Sequence, residues 1–271
     1  MPHQKQTLFR GKKICYTVAG EGQPVLLVHG FTEDSDVWKY QRDELSRHYR
    51  LILPDLPGSG GSELTDGFSM ELAAECLLQI LDEEKIGRTV VIGHSMGGYI
   101  TLALAEKYPQ RLLAFGLCHS TAYADSEEKK ANRQRGIDFV RTHGSYDFIR
   151  QSIPNLFSPE SRISMGDAVK EMIEQYKDFS PATLIACQQA MMQRPDRTHV
   201  LTSFAGPVLF VIGKYDSAVP YEQSLQQCHL PQMAYIHLLE RSGHMGMWEE
   251  RDKTNSVLLS FLKDTVVIDT E

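Results

Sequence analysis

The chain has 271 residues, of which 42% are hydrophobic and 23% charged, and its formal net charge is −7 at pH 7. This composition is typical of a globular protein with a sizeable core and excludes a disordered chain. The acidic balance and the lack of a basic block disfavour a nucleic-acid partner, because phosphate binding requires clustered Lys and Arg. We expect one core domain with an insertion.

The cysteines and the amino terminus bear on the compartment. The five cysteines are far apart in sequence and form no CxxC pair, which disfavours both a disulfide framework and a thiolate metal site. The first residues are polar, and no apolar run approaches the ~20 residues of a membrane span. The sequence therefore predicts a cytoplasmic protein with no membrane partner.

The predicted elements begin with a hairpin over residues 7–9 and 12–18. Unbroken apolar runs then predict parallel strands buried on both faces, over 24–28, 50–53, 89–92, 112–118, 208–212 and 234–239. Helical segments lie among them, over 70–82, 96–108, 222–228 and 254–262. This alternation predicts an α/β fold with a mostly parallel, doubly wound sheet and helices on both faces.

One long stretch contains no convincing buried strand. Residues 121–202 instead carry amphipathic segments, one of them capped by Ser180 and begun by Pro181. We interpret this stretch as an inserted helical cap, or lid, over a pocket, and residues 1–120 with 203–271 as the core. The alternative is that the inserted helices only enlarge the core.

The motif with the clearest chemistry is a glycine-flanked serine. The strand at 89–92 leads directly into Gly93-His94-Ser95-Met96-Gly97, and a helix follows. A serine at the centre of Gly-x-Ser-x-Gly between strand and helix projects its hydroxyl above the sheet, and the glycines give room for the tight turn. We predict that Ser95 is a nucleophile; the alternative is a glycine-rich packing turn.

Together with four further blocks, this motif resembles the α/β-hydrolase superfamily, in its branch of esterases, lactonases, C–C bond hydrolases and related lyases. The resemblance covers nearly the whole chain. The other blocks, in the order typical of the family, are Val28-His29-Gly30-Phe31, the glycine-rich Asp55 to Ser62, Gly213-Lys214-Tyr215-Asp216 and Ser242-Gly243-His244.

A serine nucleophile needs a base and an acid that orients the base, and this fold orders them Ser, acid, His. His244 follows the last predicted strand and is the best candidate for the base, with His119 as its competitor. Asp216 matches the acid position of the family, and the loop after residue 118 has no carboxylate before Asp125. We predict the triad Ser95, Asp216 and His244.

The remaining site predictions concern the oxyanion and the substrate. The turn at residues 93–97, which we call the elbow, offers the backbone N–H of Met96 as one hydrogen-bond donor to the oxyanion. By resemblance, the second donor is the N–H of Phe31. We also predict substrate contacts, listed here in chain order: His29, Gly30, Tyr146, Phe157 and Met245. Asp55 is interpreted as a residue that orders its loop.

The sequence thus predicts a serine hydrolase that cleaves a small carboxylic ester, thioester or lactone through an acyl-serine intermediate. One alternative is a C–C bond hydrolase or pyruvate-eliminating lyase with the same triad, for which an arginine in the pocket that binds a substrate carboxylate would be the sign. Another is a small-molecule receptor with slow turnover. We expect no cofactor and no metal, and a monomer or homodimer.

Overall fold

The computed structural model describes residues 2–268, and the side chains of residues 2–265. Its centre is one sheet of eight strands in the order β1-β2-β4-β3-β5-β6-β7-β8. The strands are β1 (His3–Phe9), β2 (Lys12–Ala19), β3 (Pro24–Val28), β4 (Arg50–Pro54), β5 (Thr89–His94), β6 (Leu112–Cys118), β7 (Val208–Gly213) and β8 (Ala234–Leu239).

The sheet is mostly parallel, as the unbroken apolar runs predict. β1 pairs with β2 and β2 with β4 in antiparallel fashion, and all other neighbours are parallel. Every residue of β5, β6 and β7 is buried. β8 differs from the expectation of a strand buried on both faces: it is the edge strand, and Ile236 on it is 47% exposed.

Helices cover both faces of the sheet. They are α1 (Lys39–Leu45), α2 (Met70–Glu83), α3 (Met96–Lys107), α4 (Glu127–Ser152), α5 (Pro159–Ser164), α6 (Gly166–Tyr176), α7 (Pro181–Gln193), α8 (Thr198–Ser203), α9 (Tyr221–Gln227), α10 (Gly246–Glu249) and α11 (Arg251–Ile268). The buried side chains form two clusters, one with α2 and α3 and the other with α1 and α11. The fold is therefore the doubly wound α/β-hydrolase architecture.

Between β6 and β7 the chain adds helices α4 to α8 and no strand, and we call this segment the helical insertion. Its longest helix, α4, is bent at Gly144, whose φ of 84° is outside the helical region. Helix α7 begins as the sequence predicts, since Ser180 accepts a hydrogen bond from the Thr183 N–H and Pro181 takes the first position. No described helix has the length and apolar character needed to cross a membrane.

Candidate active site

The chemical groups gather where the parallel strands end. In a parallel sheet the carboxyl ends of all strands lie along one edge, so the residues that follow them meet in space. His29 follows β3, Ser95 follows β5 and His119 follows β6. Asp216 and His244 lie in the segments after β7 and β8.

Ser95 has a strained backbone. Its φ of 50° and ψ of −117° place it in a region that residues with a side chain rarely adopt. The turn is held by hydrogen bonds from the Ser95 N–H to the Cys118 carbonyl (2.9 Å) and from the Ser120 hydroxyl to the Ser95 carbonyl (2.7 Å). Among residues 89–105, Ser95 alone is not buried. The turn therefore presents the hydroxyl of Ser95 from an otherwise buried segment.

The flanking glycines are required by close backbone packing. A Cβ on Gly93 would collide with the carbonyl of Gly97, and one on Gly97 would collide with the carbonyl of Val28. The first contact closes the elbow itself, and the second brings α3 against β3. Ser95 is the N-cap residue of α3, where the helix dipole favours negative charge.

His244 is oriented by a buried carboxylate. Its Nδ1 lies 2.8 Å from Oδ2 of Asp216, and both side chains are at most 3% exposed. The other oxygen, Oδ1, accepts the N–H groups of Ala218 and Val219, each at 2.8 Å. Burial raises the pKa of Asp216, but the imidazoles beside it outweigh burial and hold that pKa well below its usual range. The carboxylate stays ionised and leaves Nε2 of His244 to handle a proton.

The loop that carries His244, residues 242–245, is tied to the helical insertion. The His244 N–H donates to the carbonyl of Leu156 at 2.6 Å. The neighbouring Gly243 N–H donates to Oε1 of Glu249 at 2.8 Å. We call residues 242–245 the base loop.

His119, the competing base, reaches the same carboxylate. Its Nδ1 lies 3.3 Å from Oδ2 of Asp216, while its buried Nε2 has no hydrogen-bond partner within the described part of the chain. Burial lowers the pKa of His119 to about 4, so the ring is neutral near pH 7. His244 lines the cavity above the strand ends, whereas His119 does not. This arrangement favours His244 as the base.

The segment of residues 29–31, which we call the oxyanion loop, is fixed by its own side chains. The Leu56 N–H donates to Nε2 of His29 at 2.9 Å, so the proton of that ring must be on Nδ1, from which it is donated to the Gly30 carbonyl at 2.8 Å. The Gly30 carbonyl and the Phe31 N–H belong to one planar trans peptide and point in opposite directions. Holding the carbonyl therefore aims the Phe31 N–H.

A buried Glu–His pair lies behind this loop. Oε2 of Glu33 accepts the Gly30 N–H at 2.6 Å and lies 3.0 Å from Nδ1 of His94. The other ring nitrogen of His94 is 3.0 Å from the carbonyl oxygen of His244. The pair was not predicted from the sequence, because no local pattern links two residues that are 61 positions apart.

Asp55 also has the structural role that the sequence indicates. Its carboxylate accepts the N–H of Ser35 at 3.0 Å and that of Gly61 at 2.9 Å. These bonds order the glycine-rich loop.

A cavity of about 810 Å³ opens above the strand ends. Ser95, His244 and Phe31 line its floor, and residues of the helical insertion line its walls, among them Phe148 and Met191. The ring of Phe148 meets that of Phe31 edge-on, with the centroids 6.0 Å apart. The size suits a small substrate.

None of the five predicted substrate contacts lines this cavity. His29, Phe157 and Met245 are buried in packing or hydrogen bonding, and Tyr146 is 44% exposed. Gly30 lies beneath Ser95, since a Cβ on it would come within 3.1 Å of the Ser95 Cβ. Their part in binding a substrate stays a prediction; of the two residues in the insertion, Phe157 packs on the fold, as most apolar residues of such helices do, and Tyr146 faces solvent.

The cavity wall instead carries a charged group on the insertion. Asp125, buried, binds Nε of Arg133 at 2.5 Å and NH1 of Arg194 at 2.8 Å, and Lys129 lies 3.9 Å away. Arg194 also stacks on the ring of Tyr99 at 3.9 Å. Three cations therefore lie around one carboxylate, and Glu128 and Asp196 also line the cavity; we call the group of Asp125, Lys129, Arg133 and Arg194 the charged wall.

Among the described residues, one group of side chains converges closely enough to hold a metal ion: His119, Asp216 and His244, with ligand atoms within 4.8 Å of one another. The hydrogen bonds from both imidazoles to Asp216 account for this proximity.

Comparison with known proteins agrees with this geometry. Residues 23–251 match the family model described as alpha/beta hydrolase fold. An esterase from Thermogutta terrifontis, solved with malate bound, superposes with a TM-score of 0.91 at 30% identity, over 97% of this chain and 99% of that one.

Two curated relatives bear different activities. A 2-hydroxy-6-oxo-6-phenylhexa-2,4-dienoate hydrolase from Comamonas testosteroni is 27% identical, over 92% of this chain and 91% of its own length. A dihydrolipoyllysine-residue acetyltransferase component of an acetoin cleaving system from Pseudomonas putida is 29% identical over 92% of this chain, which spans 66% of that relative's length. The family match, the topology and the strand-end site agree, and the chain belongs to the α/β-hydrolase family.

Proposed function

We propose that this enzyme is a serine hydrolase that cleaves a small carboxylic ester, thioester or lactone through an acyl-serine intermediate. One observation carries the proposal. The strained elbow presents Ser95 in the same cavity as His244, and Nδ1 of His244 is held by the ionised Asp216.

In the first half-reaction, Nε2 of His244 takes the proton of the Ser95 hydroxyl while Oγ attacks the substrate carbonyl carbon. The carbonyl oxygen becomes an oxyanion, which the N–H groups of Phe31 and Met96 receive. Each such donor is typically worth ~3 kcal/mol of barrier lowering. The tetrahedral intermediate then collapses, and the leaving alcohol or thiol takes the proton from His244.

In the second half-reaction, a water molecule gives a proton to His244 and attacks the acyl carbon. Collapse of this second intermediate breaks the bond to Oγ of Ser95 and releases the acid, and His244 returns the proton to the serine. For a lactone both products remain in one molecule. Asp216 stays ionised throughout and stabilises the imidazolium.

Arg133 on the charged wall favours a second candidate, C–C bond cleavage of a substrate that bears a carboxylate. Arg133 uses Nε for Asp125, and its terminal nitrogens have no hydrogen-bond partner among the described residues. A guanidinium with free donors on a cavity wall can bind a carboxylate. The dienoate in the name of the Comamonas relative is such a group.

The nucleophile is tested with a fluorophosphonate probe on the wild type, on Ser95→Ala and on Ser217→Ala. Ser217 lines the same cavity and donates to the Asn155 carbonyl, which makes it the matched control. We expect labelling of the wild type and the control, and none of Ser95→Ala. Labelling that survives Ser95→Ala would contradict the proposal.

Turnover then separates the candidates. We expect p-nitrophenyl acetate to be hydrolysed with a kcat of order ~1 s⁻¹ or more, the ordinary range of enzymes. A much slower rate, with fast cleavage of a 2-hydroxy-6-oxo dienoate, would favour the C–C hydrolase. Slow turnover of both substrate classes would favour a receptor.

A further inference from the structure

We infer that Glu33 and His94 act as one unit of positioning residues, a buried bridge that joins the oxyanion loop to the base loop. The inference rests on the proposed function, because it assigns these residues to that reaction. Neither residue takes part in the bond-making steps above.

The hydrogen bonds define how many protons the bridge holds. Nε2 of His94 faces the carbonyl oxygen of His244, which can only accept, so this nitrogen must carry a proton. The contact between Nδ1 and the Glu33 carboxyl needs one proton more. Whether that proton is on the ring or on the carboxyl, the pair as a whole is neutral.

The surroundings favour the ion-pair form. Burial alone would lower the pKa of His94, but the adjacent Glu33 carboxylate outweighs it and raises that pKa. Burial alone would raise the pKa of Glu33, and the imidazole of His94 beside it overcomes burial and lowers that pKa. The other titratable groups near His94 are Asp216, the neutral ring of His29, and the rings of His119 and His244, whose centroids lie 6.0 and 4.9 Å from that of His94.

One carboxylate oxygen thus connects the oxyanion loop to the base loop. Oε2 of Glu33 holds the Gly30 N–H at 2.6 Å, and through His94 it holds the backbone of the base itself. A Cβ on Gly30 would come within 2.9 Å of both Oε2 of Glu33 and Nδ1 of His94, so only glycine allows this approach.

The bridge matters because the transition state separates charge. Negative charge forms at the Phe31 and Met96 N–H groups, and positive charge forms on His244. A misplacement of about 1 Å between such groups can cost ~10²-fold in rate. A neutral buried pair fixes both loops and adds no net charge beside His244.

Three single variants each remove a different part of the bridge. In Glu33→Gln burial favours a neutral His94 whose Nδ1 can only accept, and a single amide atom in place of Oε2 cannot both accept from Gly30 and donate to that ring. In His94→Asn the amide nitrogen replaces Nδ1 and keeps the Glu33 contact, whereas in His94→Gln it replaces Nε2 and keeps the His244 contact. Glu84→Gln is the matched control, a buried carboxylate paired with Lys5 and Arg50 away from the cavity.

The experiment is a double-mutant cycle on the hydrolysis of p-nitrophenyl acetate. We expect Glu33→Gln, His94→Asn and His94→Gln each to lower kcat about 10- to 100-fold, with KM within about 3-fold of wild type. The double variant Glu33→Gln/His94→Asn should lose no more than its worse single variant, and Glu84→Gln should keep the wild-type kcat. Losses that multiply, or single variants with wild-type kcat, would overturn the inference.

The pH profile tests whether the bridge is neutral as a whole. Without the Glu33 carboxylate, burial favours a neutral His94, and without the His94 ring, burial favours a protonated Glu33. We therefore expect Glu33→Gln, His94→Asn and the double variant to lower kcat while the acid limb of kcat/KM stays within about half a unit of wild type. An acid limb that moves by about one unit or more in either single variant would contradict a neutral bridge.

A wild type that neither reacts with the fluorophosphonate probe nor turns over the ester would overturn the proposed function itself. An active wild type with an additive cycle would overturn the bridge alone. Circular dichroism identifies any variant that does not fold. If Glu33→Gln does not fold, the kcat values of His94→Asn and His94→Gln, each of which keeps one contact of the bridge, test the inference.

Discussion

Two regions meet at the cavity and are built differently. One is the strand-end corner, which consists of Ser95, Asp216 and the imidazoles of His29, His94, His119 and His244, and the other is the charged wall of the helical insertion. In the corner every imidazole is at most 3% exposed and reaches a carboxylate or a backbone group at 2.8 to 3.3 Å. On the wall the Arg133 side chain is 14% exposed, and its terminal nitrogens have no hydrogen-bond partner among residues 2–265. We therefore expect changes in the corner to affect the rate of the reaction and changes in the wall to affect which substrates bind.

Among the predicted changes, Asp216→Asn should impair the strand-end corner most. The amide keeps the shape of the carboxylate but cannot accept from both imidazoles, and it no longer stabilises the imidazolium of His244. We expect kcat to fall ~10⁴-fold, as in other Ser–His–Asp enzymes, with little change in KM. Steady-state kinetics on p-nitrophenyl acetate provides the measurement, and a loss below ten-fold would assign the acid role to another residue.

Phe157→Ala tests whether the insertion supports the corner. Phe157 is 1% exposed, and the residue before it, Leu156, accepts the His244 N–H. Truncating a buried phenylalanine typically costs about 3 to 5 kcal/mol of stability. Urea unfolding should show this loss, whereas Tyr146→Ala, at an exposed position of the same insertion, should change stability by less than about 0.5 kcal/mol.

His119→Gln tests whether burial in the strand-end corner lowers the pKa of His119. His119 has a pKa of about 4 in the folded chain, against ~6.5 when unfolded, so the unfolded state binds the extra proton between these values. The free energy of unfolding should therefore decrease by about 3 kcal/mol as the pH falls from about 6.5 to about 4, since one pKa unit corresponds to ~1.4 kcal/mol.

Urea unfolding at pH 7 and at pH 4.5 should therefore show a smaller loss in His119→Gln than in wild type. Equal losses in the two proteins would mean that folding does not lower the pKa of His119. Esterase activity at pH 7 should fall less in this variant than in Asp216→Asn.

Arg133→Met addresses the wall. A hydrogen bond to a charged group is worth about 1.5 to 3 kcal/mol, so KM for a carboxylate-bearing substrate should rise at least ten-fold if Arg133 binds that group. A neutral ester should be affected less than about three-fold. Arg141→Met, at an exposed position of the same helix paired with Asp138, is the control. Equal effects on charged and neutral substrates would exclude this recognition.

Local sequence was sufficient where a short pattern dictates a shape. The Gly93 to Gly97 motif predicts the elbow because only glycine allows those backbone contacts. The apolar runs predict β5, β6 and β7 because strands covered on both faces have no polar side. β8 was misjudged as a fully buried strand, since its composition does not reveal that it lies at the edge.

The sequence by itself determined the fold family, the elbow and the chain order of Ser95, Asp216 and His244. Only the tertiary structure decided that Asp216 is shared with His119, that Glu33 and His94 bridge two loops, and which insertion residues line the cavity. The reason is physical. Backbone geometry follows from neighbours along the chain, whereas a hydrogen bond between residues 61 or 150 positions apart depends on how strands and helices pack.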